Sequence, residues 1–266
     1  MTRLSIYLNK LDKQVDLPSM LAERVRQGEV RAIARLITLL ERRGQEGRDT
    51  LRLLQGPVES PRAAIIGVTG YPGAGKSTII DQLVTAYRRL GHKVGVLAVD
   101  MTSPFTGGAL LGDRIRMQRH ALDPGVFIRS LATRGHHGGL ASVTGEAVSV
   151  LEAAGYDVIV IETVGVGQGE FEIATVAPTV VVVVAPGLGD EVQAMKAGLF
   201  EVAHVIVVNK GDHPEADRTL RELKEWHRSV LKVTATTGQG IPELIAAIAE
   251  QQRLRDLEGV PTRAAS

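Results

Sequence analysis

Residues 70 to 77 read Gly70-Tyr71-Pro72-Gly73-Ala74-Gly75-Lys76-Ser77, with glycines, a lysine and a hydroxyl at the spacing of a phosphate-binding loop. A nucleoside triphosphate packs several negative charges into a small volume, and bare backbone is what can surround it closely. Gly70, Gly73 and Gly75 allow that approach and turn successive N–H groups inward, joined in the same turn by Ala74 and Thr78. A helix starting near Lys76 adds the positive end of its dipole. Lys76 is placed to reach the β and γ phosphates, and the Ser77 hydroxyl to ligate Mg²⁺. The context supports the string, because the apolar run Ala63 to Val68 precedes it and helix-patterned Thr78 to Leu90 follows.

A second group selects the base. Asn209-Lys210-Gly211-Asp212 follows the apolar run Val205 to Val208, at the carboxyl end of an expected strand. The Asp212 carboxylate can accept two hydrogen bonds from guanine N1–H and N2–H₂, whereas adenine offers an acceptor at N1 and no amino group. Adenine would leave that carboxylate unpaired at a cost of roughly 1–3 kcal/mol, so GTP is expected over ATP by at least about tenfold. Lys210 would lay its stem along the base, and Asn209 would tie the loop to neighbouring backbone.

Two strand-end acids fit the same ligand. Asp157 to Glu162 is a buried-strand pattern that delivers Glu162 to its carboxyl edge, followed by Gly165, whose N–H would meet the γ-phosphate. Val94 to Val99 likewise delivers Asp100. Asp100 and Glu162 are expected to converge near Ser77 as direct or water-mediated Mg²⁺ partners, the bland alternative being that each caps the turn it enters.

These residues need a frame, and the chain supplies an alternating one. Strands are expected near 63–69, 94–99, 126–131, 157–162, 180–185, 204–208 and 230–234, separated by helical patterns. Such βαβ alternation with purely apolar strands means an α/β P-loop fold, its mostly parallel sheet covered on both faces and its ligand residues at the carboxyl edge. Ile241, Leu244, Ile245 and Ile248 mark one face of a last helix that packs back onto the sheet. Ahead of the sheet, residues 18–44 are helical by pattern, with Ile33, Leu36, Ile37 and Leu40 on one face and Gly28 dividing the region in two. Gly44 to Arg62 reads as a linking helix and loop. The expected division is a helical extension over 1–60, a P-loop domain over 61–258 and a flexible tail over 259–266.

Composition narrows the function classes. With 31 basic against 30 acidic residues and 3% aromatics, the chain has neither the field nor the stacking platform of a nucleic-acid binder. The absence of cysteine excludes disulfides, iron–sulfur clusters and thiolate zinc sites. The most apolar stretch, Val180 to Val184, is too short to span a membrane, and the first residues lack a signal-peptide core. A cytoplasmic location is expected.

The phosphate loop, Val99 to Pro104, Thr106 to Arg114, Arg134 to Gly139, Glu162-Thr-Val-Gly-Val-Gly-Gln168 and Pro186 to Gln193 together resemble the MeaB/ArgK family over roughly residues 20 to 250. Its members are P-loop GTPase chaperones of cobalamin-dependent acyl-CoA mutases such as methylmalonyl-CoA mutase. The resemblance implies GTP hydrolysis to GDP and phosphate with Mg²⁺. It also implies gating of adenosylcobalamin delivery to a mutase partner, and protection of that mutase. It makes Asp100 to Arg114 a first switch, Glu162 to Gln168 a second and Gly187 to Lys196 a third that addresses the mutase. Thr234-Ala235 resembles the family's last base loop, with the Ala235 N–H as donor to guanine O6. Met101 and Thr102 stand where the family carries proline and serine, and Gly211 replaces a commoner alanine, a change expected to matter little. The segment from Asp212 to the Val230 strand is shorter than in typical members, and the long carboxyl-terminal helical arm used for dimerisation is expected to be missing. A homodimer through another surface stays open.

No side chain in these motifs is an obvious base. Lys76 and Glu162 would serve catalysis through charge and metal, and Gln168 would orient the water, unless it is a solvent-facing loop residue. Arg114, Arg116 and Arg134 sit on expected loops without marking an arginine finger. Slow intrinsic turnover, accelerated by the partner, is therefore expected. Rival readings remain. His136-His137 invites a nickel-delivery GTPase. A partitioning ATPase would need a second lysine where Tyr71 stands. A kinase linked to amino-acid transport would pass the γ-phosphate to protein, and a nucleotide-gated binding module would not hydrolyse it.

Overall fold

The computed structural model describes residues 17–55, 63–100, 117–132, 139–163, 169–187 and 199–258. The chain divides into two compact units, one of residues 1–62 with Glu146–Gly155, the other of residues 63–145 with 156–266.

The first unit is helical: α1 (Leu17–Arg26), α2 (Val30–Glu41) and α3 (Gln45–Leu54). Ile33, Leu36, Ile37 and Leu40 of α2 are buried as their spacing predicts, against Leu21, Ala22 and Val25 of α1 and Leu51 and Leu54 of α3. The turn at Gly28 does split the predicted helical region, with φ of +73° and its N–H donating to Val25 O. The stretch after Gly44 is more than a linker. Gly47 lies so close to α2 that a Cβ would stand 3.0 Å from Leu39 carbons, so α3 packs as a full member of the bundle.

The second unit is built on seven strands, β1 (Ala64–Gly70), β2 (Val94–Asp100), β3 (Val126–Ala132), β4 (Val158–Thr163), β5 (Thr179–Val184), β6 (Val205–Val208) and β7 (Val230–Lys232). They lie in the order β3-β2-β4-β1-β5-β6-β7, and every neighbouring pair is parallel. All carboxyl ends therefore share one edge. Between the strands run α4 (Lys76–Arg89), α5 (Gly139–Ala153), α6 (Gly169–Val176), α7 (Leu199–Val202) and α8 (Ala216–Lys224), and α9 (Ile241–Glu258) closes the described chain. The strand positions agree with expectation to within about two residues, the ordinary uncertainty of element ends. Among the described residues no helix is long and apolar enough to cross a membrane.

Strand parity decides which residues face which layer. Ile66 and Val68 of β1, Val158 and Val160 of β4, Val181 and Val183 of β5, and Val205 and Val207 of β6 share a core with Ile79, Ile80 and Leu83 of α4 and Ile241, Leu244 and Ile248 of α9. The odd residues of β1 point the other way, where Gly67 leaves room for Ile173 and Ala177. Each fully buried aliphatic chain contributes about 1.5–3 kcal/mol before ordering costs are counted.

Candidate functional site

Two glycines fix the shape of the loop after β1. Gly70 has φ of +133°, and a Cβ there would lie 2.0 Å from Val183 O of β5. Gly75, with φ of +93°, is the residue before α4, and a Cβ there would meet Asn209 Nδ2 at 2.2 Å. No other residue type fits either place. The loop thus turns tightly into a helix whose first turn carries no acidic residue, leaving its positive end uncompensated.

Lys76 is buried and bends back over this loop, its Nζ donating to Gly70 O at 2.8 Å and Tyr71 O at 3.2 Å. The ammonium is thereby held above the backbone that the sequence assigns to phosphate. Ser77, next in the helix, is also buried, and its Oγ donates to Glu162 Oε1 at 2.8 Å. Parity explains the meeting. Glu162 follows Val158 and Val160 on the α4 side of β4, and its register partners are Val68 on β1 and Ala98 on β2. A second hydroxyl contact, Thr163 Oγ1 to Thr69 Oγ1 at 2.9 Å, joins β4 to β1 one residue further along, a link the sequence did not reveal. Asp100 ends β2 two residues beyond Ala98, hence at the same edge as Glu162.

The second motif is tied physically to the first. Asn209 is buried at the end of β6, its Nδ2 donates to Ala74 O at 2.8 Å, and its Oδ1 accepts the Ala235 N–H at 3.2 Å. The Ala235 amide, expected to donate to guanine O6, is thus engaged by Asn209 in this structure. Lys210 takes a left-handed conformation, φ +54°, unusual for a residue with a side chain and of the sort found where a loop is shaped for a task. Lys210 and Asp212 are exposed, as are Gly73 and Thr78, while Thr234 is buried beside Gly211. Gly165, Gln168, Arg114, Arg116, Arg134 and the His136-His137 pair lie outside the described residues, as does the Asp100 side chain.

Sequence reasoning also missed a polar stripe along α4. Four residues past Ser77, Asp81 accepts from Arg119 Nε at 2.6 Å and meets His120 Nε2 at 3.0 Å. Arg119 Nη2 reaches the Thr85 hydroxyl at 3.0 Å, and Arg88 grips Asp123 through two 2.9 Å bonds. The signal was present as polar residues at helical spacing, but nothing in the sequence named their partners.

Ser77 and Glu162 bring together two hard oxygen donors, buried beside the loop after β1, and this donor set suits a hard divalent cation. Among the described residues no trio of His, Cys, Asp or Glu is gathered that would hold a metal.

An all-parallel sheet with this loop between its first strand and helix defines a P-loop nucleotide-binding α/β protein. The family described as methylmalonyl Co-A mutase-associated GTPase MeaB matches residues 33–265. A Pyrococcus abyssi protein carried under a GTPase name is 51% identical over 252 residues, covering 90% of this chain and 77% of its own. The GTPase ArgK of Escherichia coli is 39% identical over 241 residues, covering 85% of this chain and 73% of its own. A crystal structure of an LAO/AO transport system kinase is similar at a TM-score of 0.70 and 30% identity, covering 91% of this chain and 77% of that one. The chain belongs to the MeaB/ArgK family of P-loop GTPases. It accordingly binds guanine nucleotide and hydrolyses GTP to GDP and phosphate.

Proposed function

We propose that this GTPase acts as a cytoplasmic chaperone of an adenosylcobalamin-dependent acyl-CoA mutase, using its nucleotide cycle to gate cofactor loading and to protect the mutase. The observation that carries the reading is the match over residues 33–265 to a family described by its association with methylmalonyl-CoA mutase.

In this reading the backbone from Gly70 to Thr78 cradles the triphosphate, and Lys76 exchanges the loop carbonyls for β and γ phosphate oxygens. Ser77 and Glu162, with Asp100, would hold Mg²⁺, which when bound neutralises charge on the phosphates. Asp212 reads the guanine donors, Lys210 covers the base, and Asn209 keeps the phosphate loop and the Thr234-Ala235 turn in register. Gly165 and Gln168 would serve the γ-phosphate and the attacking water. With no general base among these groups, intrinsic turnover is slow, and the partner supplies what is missing. The test is GTP turnover of the purified chain with and without a candidate mutase. Acceleration by the mutase, and capture of the mutase by immobilised protein, support the reading. Turnover of several per second without a partner refutes it.

A second reading is favoured by the likeness to the LAO/AO transport system kinase. A kinase would move the γ-phosphate to a protein side chain instead of to water. With γ-labelled GTP, label recovered as free phosphate supports hydrolysis, and label retained on protein supports the kinase.

A further inference from the structure

The proposed guanine reader has two walls, Asn209 to Asp212 after β6 and Thr234-Ala235 after β7. Two hydrogen bonds join them, Gly211 N–H to Val233 O at 2.9 Å and Ala235 N–H to Asn209 Oδ1 at 3.2 Å. Between them stands Gly211, whose φ is not among the positive ones, so conformation is not why a glycine is here. Space is the reason. A methyl group on Gly211 would lie 2.9 Å from Lys232 Cγ, 3.0 Å from Thr234 Oγ1 and 3.1 Å from Val233 O. Non-bonded carbons rest at about 3.5–4.0 Å, so alanine would require Lys232, Thr234 and the Val233 backbone to give by a few tenths of an ångström. The Lys232 Nζ donates to Asp217 Oδ1 at 2.6 Å in an exposed pair. Lys210, already left-handed, leaves the loop little slack to absorb the shift.

We infer that Gly211 is a positioning residue for base selection: its missing side chain and the Thr234 side chain form a matched pair that sets the distance between the Asp212 loop and the Ala235 turn. The alanine commoner at this position in the resembling family is therefore not neutral in this chain, contrary to the expectation from sequence. The inference rests on the proposed reading of Asp212 as the guanine acceptor.

Calorimetric titration of GTP and ITP into the wild type, Gly211→Ala and the double variant Gly211→Ala/Thr234→Ala tests it. ITP lacks the 2-amino group, so the ratio of the two affinities isolates one Asp212 contact while the triphosphate contacts are common to both. Wild type is expected to favour GTP by about tenfold, and Gly211→Ala to bring the ratio below about threefold with ITP affinity nearly unchanged. Thr234→Ala, which loses no side-chain hydrogen bond seen here, should recover part of the ratio in the double variant. The inference is overturned if Gly211→Ala keeps the wild-type ratio, if GTP and ITP weaken in parallel with melting temperature, or if the double variant recovers nothing. Asp212→Asn is the control. If that variant still prefers GTP to XTP, the base reading itself is wrong; if it switches to XTP while Gly211→Ala keeps the ratio, only the role of Gly211 falls.

Discussion

Ser77 and Glu162 are 85 residues apart in the chain and share a 2.8 Å hydrogen bond in the buried mouth of the loop after β1. The pairing follows from two periodicities. Glu162 takes the same face of β4 as Val158 and Val160, and α4 lies over that face with Ser77 in its first turn. A one-residue slip of β4 would turn the carboxylate to the opposite layer, so the site depends on sheet register as much as on the motif.

Lys76→Ala removes the donor to Gly70 O and Tyr71 O together with the charge proposed to meet phosphate. GTP affinity or turnover is expected to fall at least about 100-fold, since charge-assisted bonds are worth about 1.5–3 kcal/mol each. The domain should still melt cooperatively, because the β-sheet core is untouched. Unchanged affinity by calorimetry would contradict the phosphate role.

Asp212→Asn replaces an acceptor with an amide that can donate to the 2-carbonyl of xanthine. Preference should move from GTP toward XTP, read by competition binding, with the fold unaltered because Asp212 is exposed. Retained GTP selectivity would remove Asp212 from the base reader.

Asn209→Ala cuts both links that join the phosphate loop to the base loops, and strands the Ala74 carbonyl and Ala235 amide in the interior. At about 1–3 kcal/mol for each unsatisfied buried group, the expected loss is about 2–6 kcal/mol. For a domain of this size that is a fall in melting temperature of about 4–24 °C. Scanning calorimetry without nucleotide checks it, and a shift under about 2 °C would show the links to be idle.

Asp123 carries a pH signature. The Arg88 guanidinium first, then the Gly125 N–H, hold its carboxyl below the usual aspartate range. The folded value is depressed, so the native state binds fewer protons than the unfolded chain around that range. The pair's stabilisation is therefore complete above the ordinary aspartate value of about 3.9 and is lost as pH falls through the lowered one. Arg88→Ala should lower the urea midpoint at pH 7, and its gap from wild type should narrow by pH 3. A gap constant from pH 7 to pH 3 would show that the charge of Asp123 is not what matters.

The sequence made legible what local pattern controls. Apolar runs such as Val205 to Val208 gave the strands, Gly28 gave the break between α1 and α2, and the loop from Gly70 announced phosphate chemistry. Sheet order was not readable, since hydrophobic strands of equal length have no label for their neighbours. Long-range polar partners were equally silent: Thr69 with Thr163 and Asp81 with Arg119 and His120 are ordinary residues until the fold brings them together. The crowding around Gly211 was silent for the same reason, because it comes from Lys232, Val233 and Thr234 and not from the motif.

Ser77, Asp81, Thr85 and Arg88 lie along one line of α4, about 16 Å at helical rise. The upper end touches Glu162 and the lower end is bolted to Asp123, three residues ahead of β3. The helix thereby ties the buried Ser77–Glu162 contact at the carboxyl edge of the sheet to the turn that enters β3, its outermost strand.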